Sequence, residues 1–208
     1  RYVLAQWIAN RGYIVVSIDG RGTPGRTRAW ERAIKGNLIE TPLDDQVRGL
    51  QELGQRYPEL DLQRVGIFGW SFGGYFSAVA TCRRPDVFRA GVAGAPVTDW
   101  RDYDTHYTER YLGLPEANPG GYAASSALTA AQELRQPLLV IHGTADDNVY
   151  FLHSLKLTDA LFRAGKTFEF LPLVGMTHMV TEPAANEMLY GRIMEGFDRA
   201  LRSTAPAK

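Results

Sequence analysis

Gly69-Trp70-Ser71-Phe72-Gly73-Gly74 is the stretch on which the reading of this chain turns. It fits G-x-S-x-G, and both flanks have the context that motif needs. Val65–Phe68 before it is a short apolar run that predicts a strand. Tyr75–Thr81 after it predicts a helix. A serine on so sharp a strand-to-helix turn is forced into a strained backbone conformation, with its Oγ exposed above a sheet. Bulk two residues to either side, at Gly69 or Gly73, would clash with the neighbouring strand and helix. The Phe72 N–H, at the helix start, then points at a reacting oxygen as an oxyanion donor. The bland alternative is a glycine-rich turn with an ordinary serine; the flanking strand and helix favour a nucleophile.

Working outward, apolar runs alternate with helical patterns. Tyr13–Ile18, Ala90–Ala93, Leu138–Ile141 and Phe168–Leu171 join Val65–Phe68 as predicted strands. Val47, Leu50, Leu53 and Tyr57 share one helical face, and Leu189, Ile193, Phe197 and Leu201 another. Continuous apolar strands between helices predict an α/β fold with a mostly parallel sheet covered on both faces. Residues 98–127 have no clean period and are rich in Tyr, Asp, Gly and Pro. They read as an excursion above the sheet that lines a pocket. The 208 residues make one large domain and are enough for a core without a disulfide or metal staple.

A serine needs a base, and the base needs an acid to orient it. In a fold of this kind the chain order is Ser, Asp or Glu, then His. Carboxylates follow the strand Leu138–Ile141 in His142-Gly143-Thr144-Ala145-Asp146-Asp147-Asn148. His178 follows Phe168–Leu171 in Gly175-Met176-Thr177-His178. In a parallel sheet both loops open on the face that carries Ser71. Of the other histidines, His142 reads as a hydrogen-bonded structural residue, His153 as surface or core, and His106 as a residue of the pocket-like excursion for which substrate contact is the lesser reading. Asp44-Asp45 reads as a helix-start pair complementing the dipole.

Other function classes recede. The 23 basic and 23 acidic residues cancel, so no broad basic field favours nucleic acid or anionic lipid. No apolar stretch is long enough to span a bilayer. The lone Cys82 excludes an internal disulfide and reads as a small buried residue. No metal site and no cofactor is expected. Gly20-Arg21-Gly22-Thr23-Pro24-Gly25 matches G-x-G-x-x-G, but Pro24 removes an N–H donor and Asp19 would repel pyrophosphate, so an irregular turn is expected.

Several motifs together extend the reading: Asp19-Gly20-Arg21-Gly22, Gly69 to Tyr75, Ala95-Pro96-Val97, Tyr107 to Pro115, and His142 to Val149. In these the chain resembles the α/β-hydrolase catalytic domain of dipeptidyl peptidase IV-like enzymes, in the prolyl oligopeptidase family of serine peptidases. The resemblance implies Ser71 as nucleophile, Asp146 as acid and His178 as base. It implies that Val97, Trp100, Tyr103, Tyr107 and Val149 wall a small apolar pocket for proline or alanine, and that Asn148 holds a substrate carbonyl. The implied activity is hydrolysis of a peptide substrate after proline or alanine through an acyl-enzyme, with release of N-terminal dipeptides. An N-terminal propeller and a homodimer are implied partners. An esterase or acyl-peptide hydrolase on the same scaffold, and a non-catalytic interaction domain, are the competing readings. The chain departs from the pattern at Phe72, often tyrosine in the family, and at Met179, where glycine is common. The family's second oxyanion donor is a tyrosine upstream of every residue here.

Arg1 opens directly into the amphipathic run Tyr2–Ile8, so the chain reads as a piece of something larger, the C-terminal part of a catalytic domain. By the resemblance, one strand lying between Tyr13–Ile18 and Val65–Phe68 would precede Arg1. Unless that strand is present, Tyr13–Ile18 is expected to shift and pair with Val65–Phe68 or with another chain.

Overall fold

The structure, a computed structural model, describes residues 2–202; Arg1 and the last six positions of the expected 1–208 domain lie outside them. The helices are α1 (Tyr2–Ala9), α2 (Arg28–Arg32), α3 (Glu40–Arg56), α4 (Phe72–Arg83), α5 (Thr105–Leu112), α6 (Pro119–Ala124), α7 (Ala127–Ala130), α8 (Leu152–Arg163) and α9 (Pro183–Leu201). The strands are β1 (Val65–Trp70), β2 (Phe88–Gly94), β3 (Leu138–Gly143) and β4 (Glu169–Leu173). All pairings are parallel, in the order β1-β2-β3-β4.

The strands alternate between two buried layers, as a period of two requires. Ala93, Leu138 and Val140 face a core built with Leu43 and Val47 of α3, Val79 of α4, and Leu157 and Leu161 of α8. Ala90, Val92, Leu139 and Ile141 face a second core, covered by Leu189, Ile193, Phe197 and Leu201 of α9. The expected α9 stripe is therefore the lid of one face. The α3 stripe holds for Val47 and Leu50, but Tyr57 lies beyond the helix end and is exposed.

Tyr13–Ile18 forms no strand. It runs without regular structure along a groove of about 640 Å³ whose lining includes Val15, Ile67, Phe68 and Phe76. The expected pairing with β1 does not occur. The segment is held by its ends: the Tyr13 hydroxyl donates to Asp198 at 2.7 Å, and the Gln46 side-chain amide donates to the Ile18 carbonyl at 2.7 Å. Ile14, Val15 and Val16 are 58%, 42% and 38% exposed. Water reaches this backbone, so its unpaired N–H and C=O groups escape the desolvation cost that would have driven pairing.

The following turn corrects a second expectation. Asp45 lies in the second turn of α3 and serves the 19–25 loop rather than the helix dipole. Its carboxylate accepts the Arg21 backbone N–H at 2.7 Å and the guanidinium at 2.5 to 3.0 Å. That pairing holds the Asp45 carboxyl below the usual carboxylate range, chiefly through the Arg21 side-chain bond. Gly20–Gly25 is a run of turns and bends, and the next helix, α2, opens only after the cap Thr27.

Residues 98–127 do fold into helical turns, each opened by a capping side chain that a periodicity reading passes over. Asp99 caps a 3₁₀ turn at Trp100–Asp102. Asp104 accepts from Tyr107 N to start α5, Asn118 from Gly121 N to start α6, and Ser126 from Leu128 N to start α7. These caps fix where Trp100, Tyr103 and Tyr107 stand above the sheet.

Candidate active site

Ser71 sits between β1 and α4 with φ 59° and ψ −118°, a region that L-residues rarely occupy. Its N–H donates to the Gly94 carbonyl of β2 at 2.8 Å, and its carbonyl accepts from Tyr75 N at 3.0 Å. The turn is therefore clamped on both sides. A Cβ on Gly69 would run into the Gly73 backbone, and one on Gly74 into the Gly94 carbonyl, whereas a Cβ on Gly73 would meet open space. The glycine that lets helix approach strand is Gly74, not the expected Gly73. Phe72 is the first residue of α4, so its N–H has no acceptor within the helix and stands beside the serine.

The loops after β3 and β4 are joined to each other. Thr144 N donates to the Leu173 carbonyl and Ala145 N to the Met176 carbonyl, both at 3.0 Å. This brings His178 to Asp146, with Nδ1 2.7 Å from Oδ2. An ionised carboxylate only accepts, so the Nδ1 carries the proton and Nε2 keeps its lone pair. Asp146 is 5% exposed, and its other oxygen accepts the N–H groups of Asn148 at 3.0 Å and Val149 at 2.9 Å.

On the serine side the link is made through the backbone. The Trp70 indole N–H donates to the His178 carbonyl at 2.7 Å, tying the histidine loop to the residue before Ser71. No hydrogen bond joins Ser71 Oγ to His178 in this structure, so hydrogen-bond reach is met between Asp146 and His178 only. Catalytic bonds are often long in ligand-free sites and tighten when substrate binds. Sequence reasoning missed Trp70, since nothing in its spacing distinguishes it from a core aromatic.

Of the residues named as pocket walls, the three aromatic ones form one cluster. Trp100 stacks on Tyr107 at 5.7 Å and 17°, while Tyr103 meets Trp100 and Tyr107 edge-on at 5.9 and 5.6 Å. Phe72 extends the cluster toward Ser71, 6.0 Å from Trp100. Val97, Trp100 and Val149 are buried, and Tyr103 and Tyr107 are half-buried. The Tyr103 hydroxyl donates to Asn148 Oδ1 at 2.9 Å, which leaves the Asn148 amide N–H groups to donate elsewhere. Burial pushes the Tyr107 phenol up to about 12, with Tyr111, Tyr103 and Asp104 adding to the shift. Burial also raises Tyr103, ahead of Asp104 and Asp146.

The remaining candidates separate cleanly. His106 is exposed on α5. His153 is a core residue whose Nδ1 accepts from Thr98 N at 3.1 Å, and burial holds it below the ordinary histidine range. Cys82 is buried and its thiol is pushed up to about 12 by desolvation, so it is inert. Among the described residues no helix is long and apolar enough to cross a membrane.

A family model described as the prolyl oligopeptidase family matches residues 3–204. Human dipeptidyl peptidase 8 is 44% identical over 190 residues, 90% of this chain and 21% of that protein. The mouse protein of the same name is 43% identical over the same shares. In the crystal structure of Porphyromonas gingivalis dipeptidyl peptidase 4, a matching region has a TM-score of 0.89 and 38% identity, over 95% of this chain and 28% of that one. The chain thus spans about a fifth of the curated relatives' length. With a parallel sheet, a strained serine at its carboxyl edge and a family match along almost its whole length, the chain belongs to the prolyl oligopeptidase family of serine peptidases.

Proposed function

We propose that this chain carries the catalytic machinery of a peptidase that cleaves after proline or alanine and releases N-terminal dipeptides. Ser71 is the nucleophile, His178 takes its proton through Nε2, and Asp146 holds the imidazole in the required tautomer. The observation that carries this is the Asp146–His178 bond at 2.7 Å, on loops joined to the strand-end turn where Ser71 is strained. The serine oxygen attacks the scissile carbonyl as its proton moves to Nε2. The oxyanion that forms meets the Phe72 N–H, and His178 returns the proton to the leaving amine. Water then repeats the cycle on the acyl-enzyme.

In this reading the cleft walled by Trp100, Tyr103 and Tyr107, with Val97 and Val149 behind, takes a flat pyrrolidine ring against aromatic faces. Asn148 donates to a substrate carbonyl while Tyr103 holds its Oδ1. Gripping the free amine falls to the propeller domain that the resemblance implies, and a homodimer belongs to the same reading.

The test is covalent labelling by a fluorophosphonate, which Ser71→Ala should abolish, with rates compared on a dipeptidyl-proline anilide and a short acyl ester. Preference for the ester would favour an esterase on this scaffold; labelling that survives Ser71→Ala would overturn the nucleophile. Tyr107→Ala should weaken proline substrates selectively. Unchanged relative rates on proline and leucine substrates would place the pocket elsewhere.

A further inference from the structure

Asp146 has a second histidine. His142, at the end of β3, is fully buried, and its Nε2 lies 3.1 Å from Asp146 Oδ2, the same oxygen that His178 Nδ1 contacts. The same Nε2 lies 2.8 Å from the Val149 carbonyl. Both partners only accept, so Nε2 must carry a proton and donate to both. On the far side of the ring, Nδ1 lies 2.7 Å from Ser154 Oγ on α8. With the Nε2 tautomer fixed, that nitrogen accepts the serine O–H. Phe151 closes the ring edge-on at 5.6 Å.

The count of donors on Asp146 is then complete. Oδ1 takes two backbone N–H groups and Oδ2 takes two imidazole N–H groups, which fills the roughly four lone-pair sites of a carboxylate. We infer that His142 is a positioning residue for the Asp146–His178 pair: it fixes the rotation of the carboxylate and, by sharing Oδ2, limits how strongly Asp146 stabilises a protonated His178. This rests on the triad assignment proposed above. Charge-bearing neighbours are few. Asp146 and His178 face His142 from the loops, and His153 faces it from α8, with Asp102 and Lys156 beyond. Tyr103 stands toward Asp146 from the excursion. Burial holds His142 below the ordinary histidine range, which keeps it a neutral donor as the geometry demands.

Without the shared donor, Oδ2 turns more of its charge toward the His178 ring, and the acid limb of the labelling rate should move to higher pH. The test is the rate of fluorophosphonate labelling against pH in the full chain, for wild type, His142→Leu, His142→Gln and Ser154→Ala, with folding followed by circular dichroism. His142→Leu removes the donor. His142→Gln places an amide N–H near Nε2, and Ser154→Ala removes the hydrogen bond at Nδ1 that holds the ring in its orientation. In His142→Leu the acid limb is expected to move up by about half a pH unit or more, and the plateau rate to fall roughly tenfold. His142→Gln should keep the wild-type limb, with Ser154→Ala intermediate. An unmoved limb in folded His142→Leu, with loss only in proportion to the folded fraction, would overturn the inference. If His142→Leu does not fold, a wild-type limb in Ser154→Ala overturns it and an upward shift supports it. Failure of the triad assignment looks different: wild type goes unlabelled, or labelling survives Ser71→Ala, and the role of His142 falls with it.

Discussion

Val65–Trp70 and Tyr13–Ile18 carry nearly the same sequence signature and meet opposite fates. Both are short, apolar and bounded by turns. One becomes β1, paired to β2 from Val65 to Trp70 and carrying the serine turn; the other has no regular structure and lies half exposed along a groove. A β-forming run becomes a strand only where a neighbour supplies its backbone partners, and periodicity within the run holds no information about that neighbour. The paired segment is further locked by backbone-to-backbone approach: Gly74 of α4 touches the Gly94 carbonyl, and Ser71 N–H bonds to the same oxygen. The unpaired one relies on side-chain ties at its two ends.

The hardest blow to this contrast would come through Gly74. Gly74→Ala drives a methyl group into the Gly94 backbone and should cost about 3 kcal/mol or more, read as a lowered urea midpoint. Gly73→Ala meets open space and should be neutral or gain up to about 1 kcal/mol from helix propensity. Equal losses at the two sites would show that close approach does not hold the turn.

A milder probe compares the two apolar runs directly. Ile67→Ala removes packing from the core beneath β1 and should cost about 1.5–3 kcal/mol. Val15→Ala, on the exposed run, should stay within about 0.5 kcal/mol. Amide exchange should agree, with β1 protected and residues 14–17 exchanging near the rate of an open chain. Protection of residues 14–17 would mean that the segment is paired in solution.

The gentlest test is pH. His142 and His153 are buried at the carboxyl end of the sheet, and desolvation depresses both below the ordinary value of 6.5. As pH falls through 6.5 the unfolded chain takes up protons that the folded one refuses, so stability declines, levelling once the folded-state values are passed. Melting temperature should drop steadily between pH 7.5 and pH 5.5, roughly one unit to either side of the reference value. His153→Gln should flatten the slope, and a flat wild-type profile would contradict burial of neutral imidazoles.

Much of the candidate site was legible because the chemistry proposed for it demands particular residues at particular points on the chain. Ser71, Asp146 and His178 each follow a readable strand, and the parallel sheet delivers those strand ends to one edge. The cluster of Trp100, Tyr103 and Tyr107 was named only through resemblance, since capping by Asp99 and Asp104, not periodicity, sets its shape. His142 was legible as a hydrogen-bonded structural residue, but its partner was not, nor was that of Trp70: a histidine four residues before an aspartate and an indole before a serine have many structural uses. Their partners, Asp146 Oδ2 and the His178 carbonyl, are fixed by loops that sequence spacing does not describe. Asp45 was misread for the same reason, because Arg21 is 24 residues away along the chain.

The backbone at Ser71 has a consequence for how this chain can change over generations. Holding a serine at φ 59° and ψ −118° costs on the order of 1–3 kcal/mol, a penalty that glycine largely avoids. Ser71→Gly is therefore a step uphill in stability and, if the hydroxyl is the nucleophile, a step out of function. Selection for stability alone would favour glycine at position 71. A serine that persisted there through a lineage would mark selection for its hydroxyl, and glycine in a descendant would mark a site that has been retired.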